Sequence, residues 1–156
     1  MNPKNILIVG TNNTTRSYMA EAVIRRLCEE KELEEAEVCS RGLVVLFPEP
    51  VNPRAAQAVG NAGYKIKEFQ ATKLTSEDVE DADIIFTITP EEKERILLDY
   101  EDELGTADKV FTLSEAAREP VGIPNPYGKE PEDYAACFIT VKRMCEKCFN
   151  YKILRK

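Results

Sequence analysis

The chain has 156 residues, 43% of them hydrophobic and 31% charged, with 28 acidic against 21 basic side chains and a formal charge of −7. That is enough chain for one domain spanning residues 1–156 with a real core, and it is too apolar for a disordered protein. The negative balance argues against sequence-independent nucleic-acid binding; no apolar run reaches membrane-span length, Met1-Asn2-Pro3-Lys4 has no signal-peptide pattern, and five irregularly spaced cysteines fit reduced thiols in the cytoplasm.

Ile6–Val9 is a continuous run of β-branched residues and Leu, the pattern of a strand buried on both faces of a parallel sheet. Residues 10–15 are small or polar, and from Ser17 the apolar positions change to Met19, Ala20, Val23, Ile24 and Leu27, one face of a helix. The polar loop therefore opens onto a helix N-terminus, where converging N–H groups and the helix dipole favour an anion. Arg16 adds a planar fork suited to two phosphate oxygens. A polar turn carrying a merely solvated Arg is the plainer alternative.

Glu37–Ser40 is the second strand, and Leu43–Pro50 is an apolar loop expected to border the anion site or to pack on the core. Asn52 caps a helix with Pro53 in its first turn; Ala55, Ala58, Val59 and Ala62 face inward and Gly63 stops it. Residues 64–73 connect to a short helix capped at Thr75-Ser76-Glu77-Asp78, and Ala82–Thr89 is the third buried strand. Pro90 starts a helix to about Asp99 with acids near its positive end, and Lys109–Leu113 is the fourth strand. Gly122–Gly128 is a rigid loop rich in Pro and Gly. Glu132 to about Tyr151 is a long helix with Tyr134, Cys137, Phe138, Val141, Met144, Cys145 and Cys148 at helical spacing. With no second cysteine pair and no histidine anywhere in the chain, Cys145-x-x-Cys148 reads as core packing in preference to a zinc site. Strands alternating with helices predict an α/β fold with a parallel sheet, uninterrupted by repeats or linkers.

Residues 9–22 resemble the phosphate-binding loop of the low-molecular-weight protein tyrosine phosphatases of bacterial type, a family with protein-arginine-phosphatase-like members. That loop reads Val-Cys-x-Gly-Asn-x-Cys-Arg-Ser-Pro-Met-Ala-Glu-Ala; Asn13, Arg16, Ser17, Met19, Ala20, Glu21 and Ala22 match it. Gly10 stands at the place of the nucleophilic cysteine, Asn12 at a glycine, Thr15 at a second cysteine and Tyr18 at a proline. Asn125-Pro126-Tyr127 stands where the family has Asp-Pro-Tyr, whose aspartate protonates the leaving group; Ser40-Arg41-Gly42 replaces Ser-Ala-Gly, and Phe69 falls where a histidine is common.

The resemblance covers nearly the whole chain. It implies a four-stranded parallel sheet with helices on both faces and the phosphate-binding loop after the first strand. Phosphate or sulfate would be held by Thr11, Asn12, Asn13, Thr14, Thr15, Arg16 and Ser17 beneath a rim of Tyr18, Phe47 and Tyr127, with no metal, cofactor, nucleic acid or membrane. Asn12 is the residue that best replaces glycine where φ is positive, and Tyr18, bulkier than proline, is expected to narrow the mouth. Tyr127 would flank the entrance and stack on an aromatic or guanidinium group. Thr11 follows bacterial relatives, some of which act on phosphoarginine, and phosphotyrosine stays open beside it.

In the family a thiolate attacks phosphorus and an aspartic acid protonates the departing oxygen. Gly10 has no side chain to attack, the threonine hydroxyls stay protonated near neutrality with no histidine as base, and the Asn125 carboxamide is no proton donor of that kind. Losing the thiolate also removes a charge that repels a phosphate dianion. The favoured expectation is a pseudophosphatase that binds phosphate or a phosphorylated protein; the alternatives are a phosphatase with an unrecognised nucleophile or water, and a scaffold with a vestigial pocket that docks through residues 43–50. Departures at Gly10, Asn12, Thr15, Tyr18, Phe69 and Asn125 speak for natural divergence over a substrate-trapping change, which needs one. Without a thiol at position 15, the family's disulfide regulation is not expected.

Overall fold

The computed structural model describes residues 2–65 and 68–154. Four strands, β1 (Asn5–Gly10), β2 (Glu37–Gly42), β3 (Ile84–Thr87) and β4 (Val110–Thr112), form one parallel sheet in the order β2-β1-β3-β4. The helices are α1 (Arg16–Glu30), α2 (Pro53–Asn61), α3 (Ser76–Asp81), α4 (Pro90–Asp99), α5 (Glu101–Leu104), α6 (Leu113–Ala116) and α7 (Pro131–Cys148). No described helix is long and apolar enough to cross a membrane.

Alternation along β1 assigns its side chains to two cores. Ile6 and Ile8 join Ile84 and Phe86 under α1, α2, α6 and α7, whereas Leu7 and Val9 join Ile85 and Val110 under α3, α4 and α5. Each of these β1 side chains is buried, and full burial of a residue of this size is worth roughly 1.5–3 kcal/mol. The loop leaving β1 at Gly10 therefore starts from one of the firmest points in the molecule.

Helix starts follow local chemistry. Asn52 Oδ1 accepts the N–H groups of Arg54 and Ala55, and Thr75 with Asp78, Thr89 with Glu92 and Thr112 with Glu115 form reciprocal capping boxes. These caps shorten two expected strands. The third runs over Ile84–Thr87 and not Ala82–Thr89, because Ala82 closes α3 and Thr89 caps α4. The fourth runs over Val110–Thr112 and not Lys109–Leu113: Thr112 caps α6, which begins at Leu113, while the Lys109 carbonyl still accepts from the Ile85 amide at the strand's start. β2 extends past Ser40 to Gly42, and Ala62, expected inside, is exposed beyond the end of α2. The last helix is α-helical to Cys148 and ends in a π-helical turn, Phe149–Ile153. Within the connection 64–73, Ile66 and Lys67 lie outside the described residues.

Candidate anion-binding site

β1 leads through α1 to β2 on one side, and β3 lies on the other, so the connections leaving the carboxyl ends of β1 and β3 diverge. Open α/β sheets bind ligands in such crevices. A cleft of about 530 Å³ opens here, lined by residues 10–17 and 44–47, Glu49, Ile88, Glu92, Asn125 and Tyr127. A larger groove of about 940 Å³ involves β2, α1 and α3, but its two arginines, Arg25 and Arg41, are engaged by Glu21 and Asp78, so its size does not make it the better anion site.

The backbone of residues 10–16 forms the floor. The carbonyls of Gly10, Thr11, Thr14 and Thr15 accept from the amides of Leu43, Val44, Asn52 and Met19 at 2.9–3.0 Å. The amides of Thr11 to Arg16 donate to no acceptor among the described residues. Occupied carbonyls and unused amides at the start of α1 make a nest whose missing partner is an anion or water.

Asn13 shapes that nest. It holds φ 61°, a left-handed conformation that Asn tolerates, and it is 2% exposed. Its Nδ2 donates to Ser17 Oγ at 3.1 Å and Ser40 Oγ at 2.9 Å, while Oδ1 accepts the Thr72 N–H at 3.0 Å. Ser40 Oγ donates to Glu21 Oε1 at 2.5 Å, and Glu21 pairs with Arg25 at 2.7 Å. Among the described residues, each buried side-chain nitrogen and oxygen is satisfied. The expectation placed the left-handed residue at Asn12; it is Asn13, and Asn12 is exposed with no positive φ. The buried side chains of Asn13 and Ser17 thus brace the loop from behind.

Arg16 lines the cleft and donates from Nη1 to the Ile123 carbonyl at 2.7 Å, joining the floor to the 121–128 loop and leaving its other donors for a ligand. At Gly10 an added Cβ would lie 3.1 Å from Ser17 Oγ and 3.2 Å from its Cβ, so a side chain there requires Ser17 to give by a few tenths of an ångström. Thr14 and Thr15 also line the cleft.

Thr11 brings a partner that the sequence did not announce. Its hydroxyl donates to Glu92 Oε2 at 2.8 Å, and Glu92 Oε1 accepts the N–H groups of Ile88 and Thr89 at 2.9 and 2.8 Å. Glu92 is 2% exposed. The spacing Thr89-x-x-Glu92 was the signal for its capping role, but nothing local to that spacing points at Thr11.

The facing wall is exposed. Asn125 Oδ1 accepts the Tyr127 N–H at 3.2 Å, Tyr127 is 74% exposed and Phe47 is 60% exposed, and both rings line the mouth of the cleft. Tyr18 does not. It is 6% exposed, turned into the core from the first turn of α1, with its ring edge-on to Phe69 at 4.9 Å. The rim is completed instead by Val44, Val45 and Leu46. Behind the wall, Cys137 Sγ donates to the Pro124 carbonyl at 3.7 Å; burial pushes this thiol up to about 11 against the opposing pull of Arg16. Cys145 and Cys148 are packed in the core, and among the described residues no three His, Cys, Asp or Glu side chains converge on a metal position.

Known proteins share this fold. Residues 5–156 match the family model described as low molecular weight phosphotyrosine protein phosphatase. The chain is 32% identical over 127 residues, 81% of each chain, to the probable low molecular weight protein-tyrosine-phosphatase EpsP of Ralstonia nicotianae. It is 30% identical over 131 residues, 83% of this chain and 84% of the relative, to the protein-arginine-phosphatase of Bacillus subtilis. The crystal structure of the low molecular weight protein tyrosine phosphatase from T. tengcongensis superposes with a TM-score of 0.84 at 26% identity, covering 94% of this chain and 98% of that one. From the four-stranded sheet to the loop at its switch point, this chain belongs to the low molecular weight phosphotyrosine protein phosphatase family.

Proposed function

We propose that this chain is a pseudophosphatase of its family, holding phosphate or a phosphorylated protein side chain without the thiolate turnover of the cysteine enzymes it resembles. One observation carries the proposal: the nest of unused amides and Arg16 is intact, while Gly10, at the place of the nucleophile, presents no side chain. Asn125 supports it, since a carboxamide occupying its own turn supplies no proton to a leaving group.

Titration with tungstate and with phosphate, followed by calorimetry, tests the binding half, with Arg16→Ala as control. Saturable binding that this change removes is expected, alongside no hydrolysis of para-nitrophenyl phosphate. Gly10→Cys combined with Asn125→Asp is expected to bring hydrolysis back. Absence of oxyanion binding in the unaltered chain would leave a vestigial pocket and a scaffold role.

A second function is favoured by the Thr11–Glu92 contact, which places a hydroxyl against a carboxylate at hydrogen-bond distance, the geometry of a nucleophile and its base. Hydrolysis by the unaltered chain that vanishes in both Thr11→Val and Arg16→Ala would replace the binder with this enzyme.

A further inference from the structure

We infer that the free edge of β2 is a docking site for an extended segment of a partner protein that carries lysine or arginine side chains and adds to the sheet beside Val38. The site shares no residue with the anion cleft and stands independently of the function proposed for that cleft.

β2 ends the order β2-β1-β3-β4, so one of its sides meets no named strand. The Glu37 N–H donates to the Lys4 carbonyl at 2.6 Å and the Leu43 N–H to the Gly10 carbonyl at 3.0 Å, which turns the odd-numbered residues of β2 toward β1 and the even-numbered ones outward. At the outward Gly42 the chain already uses this edge. The Gly42 N–H donates to the Thr72 carbonyl at 2.8 Å and its carbonyl accepts the Leu74 N–H at 2.9 Å, a single parallel bridge before the chain leaves for α3. At Ser40 the outward carbonyl accepts from Arg41 Nη1 at 2.8 Å, so a side chain takes a strand's place there. Val38 has neither cover: its outward N–H and C=O meet no partner among the described residues. Val38 is buried, and a backbone pair withdrawn from water without partners is costly, so this edge favours a strand that supplies both bonds.

The groove of about 940 Å³ runs along this edge, and its charge says what kind of strand fits. Glu29, Glu32, Glu34 and Glu37 line it, and none of them makes an ion pair among the described residues. Its two arginines are already engaged by Glu21 and Asp78, so the charge left unbalanced is negative. Val38 packs in the core under α1, and a residue paired with it lies on the same face, beside Glu29 and Glu32 at and just past the end of α1. Cations at alternate positions of an extended segment would meet these carboxylates, while its backbone reaches Val38. A second copy of this chain would bring the same glutamates and a charge of −7 to the edge, which disfavours pairing β2 with itself.

The test titrates the full chain with a blocked peptide alternating Lys and Val, with its Glu and Val counterpart, and with the Lys and Val peptide methylated at every backbone nitrogen, followed by calorimetry and amide NMR. The Lys and Val peptide is expected to bind at least about tenfold tighter than the acidic one, with the largest amide shift at Val38. Methylation leaves the cations and removes the backbone donors, so it is expected to weaken binding by about tenfold with no change to the protein. The double charge reversal Glu34→Lys with Glu37→Lys, both on exposed side chains, is expected to weaken the peptide by about tenfold and leave tungstate binding unchanged. Absence of binding by the Lys and Val peptide would overturn the proposal. Equal binding of the methylated peptide would do so too, because it would reduce the edge to a diffuse attraction for cations. A dimer in size-exclusion chromatography whose Val38 amide is already protected from exchange would overturn it by giving the edge to a second copy.

Discussion

The floor of the cleft and its facing wall are held in different ways. The floor leaves a strand buried in two cores, and its left-handed Asn13 is fastened by bonds to Ser17, Ser40 and the Thr72 amide, with Glu21 and Arg25 behind. The wall, residues 121–128, contains a turn that Asn125 closes on itself, and it is tied down mainly through Arg16 to Ile123 and Cys137 to Pro124. An over-determined floor keeps its shape when the residue above it changes. The wall has few constraints, so its chemistry is free to change at Asn125 at little structural cost.

The most damaging way to break that contrast is Asn13→Ala. It removes three bonds, leaves the buried Ser17 hydroxyl and the Thr72 amide without their partner and puts a left-handed conformation on a residue that resists it, so a loss of about 2–4 kcal/mol is expected with tungstate binding gone. Chemical denaturation of this variant showing less than about 1 kcal/mol would mean that the floor is not over-determined. Arg16→Ala comes next: oxyanion affinity is expected to drop about 30- to 100-fold, or roughly 2–3 kcal/mol by calorimetry, with much less effect on melting. Asn125→Ala should alter oxyanion affinity by less than about threefold, since its printed bond is local; a larger change would give the wall a direct share in the floor's work.

The smallest effect is expected at the stem of the wall. Glu119 accepts bonds from Arg143 and pairs with Lys147 on α7, and the hydrogen bond from Arg143 is the main reason its carboxyl is lowered from 4.5 to about 2. A carboxylate lowered in the folded state stabilises it fully above the ordinary value, and that contribution disappears as pH falls from about 4.5 through about 2. Screening by solvent keeps it small. Glu119→Gln is expected to lower Tm by about 2 °C at pH 7, and the gap to the unaltered chain should close as the pH is taken down that window. A gap that stayed constant with pH would assign the loss to packing.

Much of this molecule follows from local chemistry. Ile6–Val9 had to be a doubly buried strand, and Asn52 and Thr75 had to start helices, because periodicity and capping act over a few residues; by the helix dipole, a polar loop with Arg16 ahead of an amphipathic helix favours an anion. The same locality misplaced what depends on neighbours far along the chain. Tyr18 looked like a rim residue until Phe69 gave it a buried partner, and the left-handed position moved from Asn12 to Asn13 because Ser40 and Thr72 are there to hold it. Arg16 meets Ile123 across 107 residues and Thr11 meets Glu92 across 81, so no spacing in the sequence reveals either contact. Residue identities thus determined that a polar loop carrying Arg16 opens onto α1 and that Gly10 has no side chain with which to attack. Only the packed sheet, by bringing the ends of β1 and β3 together, decided which carboxylate stands beside it.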